Sequence, residues 1–151
     1  IVNDATGVGA SGGQYVSYLY KKGLTLNFYL AASEADSNAT ISFYIAADAA
    51  LGTDISINSD TYQIKVNGEV QNYGAVTLTL ANHSKIGKYI VISGVNLKAG
   101  ENHIEMITNN DVNPLGDGVG TYAGTAPIVD CIEITSTAVV TWDETKGLPA
   151  N

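Results

Sequence analysis

The sequence contains no arginine, and it has no apolar run long enough to cross a membrane. Seven lysines against fifteen acidic residues give a formal net charge of −8. Nucleic acids and anionic membrane surfaces attract clustered lysine and arginine, and a membrane-spanning helix needs about 18 or more apolar residues in a row. The composition therefore argues against nucleic-acid binding and membrane insertion. It favours a soluble extracellular protein, or one that binds cations or neutral ligands.

The sequence also lacks the common arrangements of catalytic residues. Cys131 is the single cysteine, so it cannot form an internal disulfide, and its place in the apolar run IVDCIEI is typical of a small buried side chain. His83 and His103 lie twenty positions apart, and neither belongs to a paired-histidine zinc motif. No GxSxG nucleophile elbow is present, and the glycine-rich stretches lack the lysine of a phosphate-binding loop. We therefore expect that the protein is not an enzyme.

What the sequence does contain is alternation of apolar and polar residues. The stretches LTLNFYL, ISFYI, TYQIKVN and AVTLTL place apolar side chains at every second position, which predicts strands with one buried face. Less regular β-rich runs follow in QYVSYLY, YIVISGV, NHIEMIT, IVDCIEIT and AVVTW, with turn signals such as KKG and NG between them. AADAALG could form one helical turn. The pattern predicts an all-β protein of about nine strands, an antiparallel β-sandwich of jelly-roll-like form.

The domain organisation is simple. We expect one β-sandwich over residues 1–143 and a C-terminal linker or tail over residues 144–151, because DETKGLPAN carries no strand pattern. The chain begins at Ile1 without a methionine, which suggests a module or mature fragment of a larger protein.

One long connection interrupts the strands. NNDVNPLGDGVGTYAGTAP runs from Asn109 to Pro127 and is rich in Gly, Pro, Asn and Asp. Most connections have roughly four to six residues, and longer ones are usually functional or disordered. A sugar ring packs its apolar face on an aromatic side chain and needs donors and acceptors for its hydroxyls, which this segment supplies. Alternatively, the segment is a turn-rich connection whose side chains satisfy their own backbone.

Several segments, taken in order, resemble the carbohydrate-binding modules of families 6 and 35. They are ASGGQYVSYL, LTLNFYL, TYQIKVNGE, YIVISGVNLKAGENHIEMIT and APIVDCIEIT, which together cover most of residues 10–135. The resemblance implies a galactose-binding-like β-sandwich that binds an oligosaccharide or polysaccharide without cleaving it. It also implies a covalently linked catalytic domain, which the module directs to its glycan.

The resemblance further implies where the ligands bind. The glycan site would lie in end loops, with Tyr122, Tyr20 and Tyr89 as stacking candidates. The polar candidates are Asn109, Asn110, Asp111 and Asn113. Similar modules also hold a structural calcium, for which Asp130 matches one acidic ligand.

The chain lacks the first strand that carries the other acidic calcium ligands in similar modules. The C-terminal run AVVTWDE could pair in its place and bring Asp143 and Glu144 towards Asp130. A second possible calcium set is Asp111 and Asp117 with Asn109 or Asn113, since calcium takes about six to eight oxygen ligands. Trp142 could instead cover an apolar edge or act as a sugar platform. The functional alternative to glycan binding is a structural or adhesion β-sandwich of a bacterial cell-surface protein.

Overall fold

The computed structural model describes residues 2–3, 9–17, 19, 21–47, 55–79, 85–109, 126–143 and 145–146. These residues form strands, turns and irregular backbone, and none of them belongs to a helix that could span a membrane. The strands are β1 (Val2–Asn3), β2 (Gln14–Tyr15), β3 (Thr25–Ala32), β4 (Asp36–Ala47), β5 (Ile55–Ile57), β6 (Tyr62–Val66), β7 (Glu69–Gln71), β8 (Val76–Leu78), β9 (Gly87–Leu97), β10 (Gly100–Thr108), β11 (Pro127–Thr135) and β12 (Val140–Trp142).

Two antiparallel sheets form the main layers. The larger sheet has the order β12-β3-β10-β6-β7, and the smaller has the order β11-β4-β9. Two short ribbons, β1-β2 and β5-β8, flank them. The prediction of an all-β antiparallel sandwich is therefore confirmed, with more strands than nine because several have only two or three residues.

The core lies between the two sheets and follows the predicted alternation. Ile41, Phe43 and Ile45 of β4 are fully buried, and the Phe43 ring meets the Phe28 ring of β3 edge-on at a centroid distance of 6.2 Å. Leu24, predicted to begin the buried row of β3, is instead 39% exposed, because it lies in the turn before the strand. An edge-to-face aromatic pair across the layers favours one packing of the two sheets.

The prediction of a possible helical turn at AADAALG is wrong for its first two residues. Ala46 and Ala47 are the last residues of β4, where they pair with Ile128 and Pro127 of β11. Pairing with β11 fixes an extended backbone here, so the packing of the sheet overrides the helix propensity of alanine. The remainder of this stretch, residues 48–52, lies outside the described residues.

The end of the sandwich formed by residues 66–69 and 97–103 carries tight turns. The predicted Asn-Gly turn joins β6 to β7, with φ of 52° at Asn67 and 83° at Gly68, which only residues tolerant of left-handed backbone adopt easily. Asn102, which is 0% exposed, accepts hydrogen bonds from Asn67 Nδ2 and Lys98 N and donates to the Lys98 and Gly100 carbonyls. Asn102 therefore fastens the β9–β10 turn to the β6–β7 turn.

A buried carboxylate fastens the connection between β11 and β12. Asp36 Oδ2 accepts hydrogen bonds from Ser136 Oγ at 2.6 Å and Thr137 N at 3.0 Å, while its Oδ1 accepts one from Asn38 N at 2.8 Å. These hydrogen bonds, that of Ser136 most of all, lower the pKa of Asp36 below its ordinary value. They hold the turn from which β12 crosses to the edge of the larger sheet, where it pairs with β3.

Candidate functional site

Strands of both sheets end together at the end of the sandwich opposite to Asn67. In the larger sheet, Thr108 at the end of β10 pairs with Tyr62 at the start of β6. In the smaller sheet, Ala47 at the end of β4 pairs with Pro127 at the start of β11. The segment between β10 and β11, which contains most of the predicted glycan-binding residues, therefore leaves and rejoins the fold at this end, which we call the loop end.

Hydroxyl groups that are buried or half-buried tie the segments at the base of the loop end together. Tyr62 Oη and Thr108 Oγ1 both donate to the Leu19 carbonyl at 3.2 Å, which ties the chain before β3 to the larger sheet. Tyr73 Oη lies 2.8 Å from the Asn58 carbonyl and 2.6 Å from the Tyr62 carbonyl. Burial raises the pKa of both tyrosine phenols, so they stay neutral donors. A fixed base is what end loops need to present side chains in one geometry.

Asn109 is the predicted glycan-binding residue that the structure places most clearly. Its backbone N–H donates to the Thr61 carbonyl and its Nδ2 donates to the Asp60 carbonyl, both at 2.8 Å. The side chain is exposed. Both contacts use N–H groups, so they orient the amide and leave Oδ1 as an acceptor for a ligand hydroxyl.

Tyr89 lies near the start of β9, is half-buried and packs against the core. Its ring covers Gly87 so closely that a Cβ atom there would come within 2.9 Å of the ring carbons. Glycine at position 87 therefore leaves the space that the Tyr89 ring occupies. The other predicted glycan-binding residues lie outside the described residues: Tyr20, Asn110, Asp111, Asn113 and Tyr122.

Asp130, the predicted calcium ligand, holds the glycine-rich turn. Both of its carboxylate oxygens lie 3.1 Å from Ser11 N, and Oδ1 also accepts from Ser11 Oγ at 3.1 Å. Calcium needs about six to eight oxygens, usually with several carboxylates. Among the described residues, no three His, Cys, Asp or Glu side chains cluster to hold a metal. The described residues alone thus do not form a calcium shell, and Glu144 lies outside them.

Asp143 lines a small hollow on the larger sheet together with Asn27, Tyr29 and Trp142. Its N–H donates to the Tyr29 carbonyl at 2.9 Å, and its Oδ1 accepts from Thr145 Oγ1 at 2.6 Å. The Thr145 hydrogen bonds lower the pKa of the Asp143 carboxyl. Lys146 lines the same hollow and pairs with Glu101. The C-terminal run does form an edge strand as β12. The grouping of Asp130, Asp143 and Glu144 around calcium stays a prediction, because Glu144 lies outside the described residues.

A groove runs along the edge of β11, with a cavity volume of ≈ 630 Å³. We call it the edge groove. Its lining includes Ser11, Tyr44, Asp130, Glu133, Val140 and Trp142. Cys131 also lines it and is half-buried rather than part of the core, which corrects the prediction of a buried thiol. Burial, then the charge of Asp130, raises the pKa of this thiol.

Sequence reasoning missed the polar cluster at the edge groove. Glu133 Oε1 lies 2.7 Å from Lys88 Nζ, and its Oε2 accepts from Tyr44 Oη at 3.2 Å. These contacts, chiefly that of Lys88, lower the pKa of Glu133. The alternation in IVDCIEIT places Glu133 on the face opposite to Ile132, but its neighbours follow only from the register of β11 with β4 and of β4 with β9.

Several solved structures of family 35 carbohydrate-binding modules have a fold similar to that of this chain. The family 35 carbohydrate-binding module of Cellvibrio japonicus Abf62 superimposes with a TM-score of 0.62 and 18% identity, over 94% of this chain and 84% of that one. The structure of "Xyl-CBM35 in complex with glucuronic acid containing disaccharide" gives a TM-score of 0.60 and 15% identity, over 94% of this chain and 85% of that one. A family 35 module from Clostridium thermocellum gives 0.52 and 20%, over 90% and 85%. No family model and no curated protein matches the sequence.

The fold is thus an antiparallel β-sandwich with its long connections at one end. More particularly, it is the fold of the family 35 carbohydrate-binding modules, which confirms the sequence resemblance at the level of fold.

Proposed function

We propose that this protein is a non-catalytic carbohydrate-binding module. The glycan site lies at the loop end and includes Asn109, Tyr89 and the candidates of the adjoining segments. The observation that carries the proposal is the anchored amide of Asn109, which stands exposed above a base of buried tyrosine hydroxyls. The modules with the same fold support it, and one of them is in complex with a disaccharide that contains glucuronic acid.

The proposal includes a biological setting. The module belongs to a secreted or cell-surface bacterial protein, and it directs a covalently linked glycan-active domain to an oligosaccharide or polysaccharide. Calcium at Asp130, with Asp143 and Glu144 as further carboxylates, remains a separate prediction, and no part of the proposed glycan site depends on it. We expect affinities in the millimolar to micromolar range, because a shallow site with few anchors yields little surplus over the costs of binding.

Affinity electrophoresis tests the proposal directly. The protein is run through native gels that contain xylan, galactomannan, mixed-linkage glucan or mucin, beside a protein that binds none of them. We expect at least one polysaccharide to retard the protein. Asn109→Ala and Tyr122→Ala should weaken the retardation, because each removes a side chain that contacts the sugar.

The matched control is Lys98→Ala, an exposed substitution at the opposite end of the sandwich. It should leave the retardation unchanged. If no polysaccharide retards the protein, carbohydrate binding is refuted and the structural or adhesion alternative gains support. If retardation occurs but neither loop-end variant alters it, the loop end is the wrong site.

A further inference from the structure

The edge groove combines an accessible aromatic side chain with polar groups. Trp142, the only tryptophan of the chain, is 45% exposed and forms part of the groove wall. Among the described residues, the Val16–Val129 bridge is the only pairing on the second edge of β11. The volume of ≈ 630 Å³ lies within the range of roughly 300–1,000 Å³ that is typical of ligand sites.

The polar groups of the groove are held in fixed orientations. Lys88 and Tyr44 each donate to a different oxygen of Glu133, and Ser11 donates to both oxygens of Asp130. A carboxylate has about four acceptor positions, so Glu133 keeps capacity for ligand hydroxyls after these contacts. Its side chain is 46% exposed, which makes that capacity accessible. Acceptors that are already oriented lose little entropy when a ligand binds.

We propose that the edge groove is a second carbohydrate site, which binds a neutral oligosaccharide with its sugar ring against Trp142 and its hydroxyls on Glu133. This inference rests on the proposed function, since it requires that the protein meets glycans, but it uses no residue of the loop end. An indole offers a flat apolar face beside a polar N–H, and this combination suits a sugar ring with one apolar face and a rim of hydroxyls.

The negative charge of the edge groove should favour neutral sugars over acidic ones. The carboxylates of Asp130 and Glu133 outnumber the one described cation of the cluster, Lys88, which Glu133 already pairs. The chain has no arginine to clamp a sugar carboxylate and carries a net charge of −8. A uronic acid in the groove would meet like charges, so its affinity should be lower than that of the corresponding neutral sugar.

Trp142 is the only tryptophan of the chain, so the emission reports on the surroundings of this one side chain, which lines both the edge groove and the hollow that contains Asp143. The titration uses xylohexaose, mannohexaose and cellohexaose as neutral probes and trigalacturonic acid as the acidic probe. We expect at least one neutral probe to change the emission with saturation, and the acidic probe to cause no change. If calorimetry shows that neutral probes bind and none of them changes the emission, the proposal is overturned.

Variants separate the groove from the loop end. Trp142→Ala and Glu133→Gln should each weaken the groove binding about 5- to 10-fold, which corresponds to one stacking contact or one charged hydrogen bond. The control is Val139→Ala, because Val139 is 69% exposed beside β12 and does not line the groove. Binding that disappears in Asn109→Ala but persists in both groove variants leaves the proposed function standing and refutes the second site. No binding of any glycan refutes both.

Thiol labelling gives a measurement that does not depend on the folding of the Trp142 variant. Cys131 is the only thiol and lines the groove, so a bound sugar should slow its reaction with a thiol reagent. We expect a saturating neutral probe to slow labelling several-fold in the wild-type protein and less in Glu133→Gln. An unchanged labelling rate in the presence of a bound probe contradicts the inference.

Discussion

Replacing Asn102 with alanine should destabilise the fold strongly although the residue lies far from the loop end. The Asn102 amide is fully buried and makes four hydrogen bonds of 2.8–3.0 Å. Each such bond contributes about 0.5–1.5 kcal/mol net, which suggests about 4 kcal/mol for the set. Lys98 and Gly100 are exposed, so water can replace part of the lost bonding. We therefore expect a loss of about 2–3 kcal/mol in the free energy of unfolding.

Urea denaturation and thermal melting measure this loss. For a chain of this size, about 2–3 kcal/mol corresponds to a fall of roughly 5–10 °C in the melting temperature. Lys98→Ala is the control and should change the stability by less than about 0.5 kcal/mol. Asn102→Asp keeps the acceptors but removes both donors, so it should be as damaging at neutral pH and partly recover in acid, when the carboxyl group becomes protonated. If the free energy of unfolding of Asn102→Ala equals that of Lys98→Ala, the Asn102 side chain does not stabilise the β6–β7 and β9–β10 turns.

Three further predictions concern pH, a glycine and a metal. Hydrogen bonds from Ser136 and from backbone N–H groups hold the pKa of Asp36 below its ordinary value of 3.8. The ionised Asp36 therefore stabilises the fold above about pH 4, and this stabilisation is lost as the pH falls through the pKa of the folded state. Asp36→Asn should therefore flatten the acid limb of a plot of unfolding free energy against pH, and an unchanged limb contradicts the role. Gly100→Ala should lower the free energy of unfolding by about 1 kcal/mol, because φ at Gly100 is 82° and alanine adopts this backbone poorly. Gly12→Ala is the control and should lower it less, because Gly12 has no positive φ and an added Cβ would meet no atom within 4 Å. If calcium binds at Asp130, a chelator should lower the melting temperature of the wild-type protein but not that of Asp130→Asn. Identical melting curves of the wild-type protein with and without chelator would refute the calcium prediction.

The sequence was informative about the core because alternation is a local property. Tyr62, Ile64 and Val66 are fully or almost fully buried as predicted, and the Asn67–Gly68 turn lies where the dipeptide indicates. Two residues of the segment Leu97–Ile104, which resembles the family 6 and 35 modules, have clear structural roles. Gly100 adopts a positive φ, and Asn102 connects the β9–β10 turn to the β6–β7 turn.

Features that depend on pairing could not be predicted. β4 extends back to Asp36 through polar residues with weak strand propensity, and register shifts at Asp36–Ala39 and Ala39–Ile41 accommodate them. The edge groove is a similar case, because its parts come from β4, β9, β11 and β12, which meet only after both sheets assemble. Of the predicted glycan site, the structure places Asn109 and Tyr89, and the remaining residues stay predictions.

Mapping a bound glycan by amide chemical shifts shows at which end of the sandwich it binds. The polysaccharide that retards the protein is supplied as a soluble oligosaccharide, and the shifts of the labelled protein are followed to saturation. If the glycan binds at the loop end, the amide signals of residues 21–23 and the signals of both nitrogens of Asn109 should shift, and those of Asn67, Gly68 and Gly100 should not. Shifts confined to those three residues at the opposite end, or no shifts at saturation, would contradict binding at the loop end.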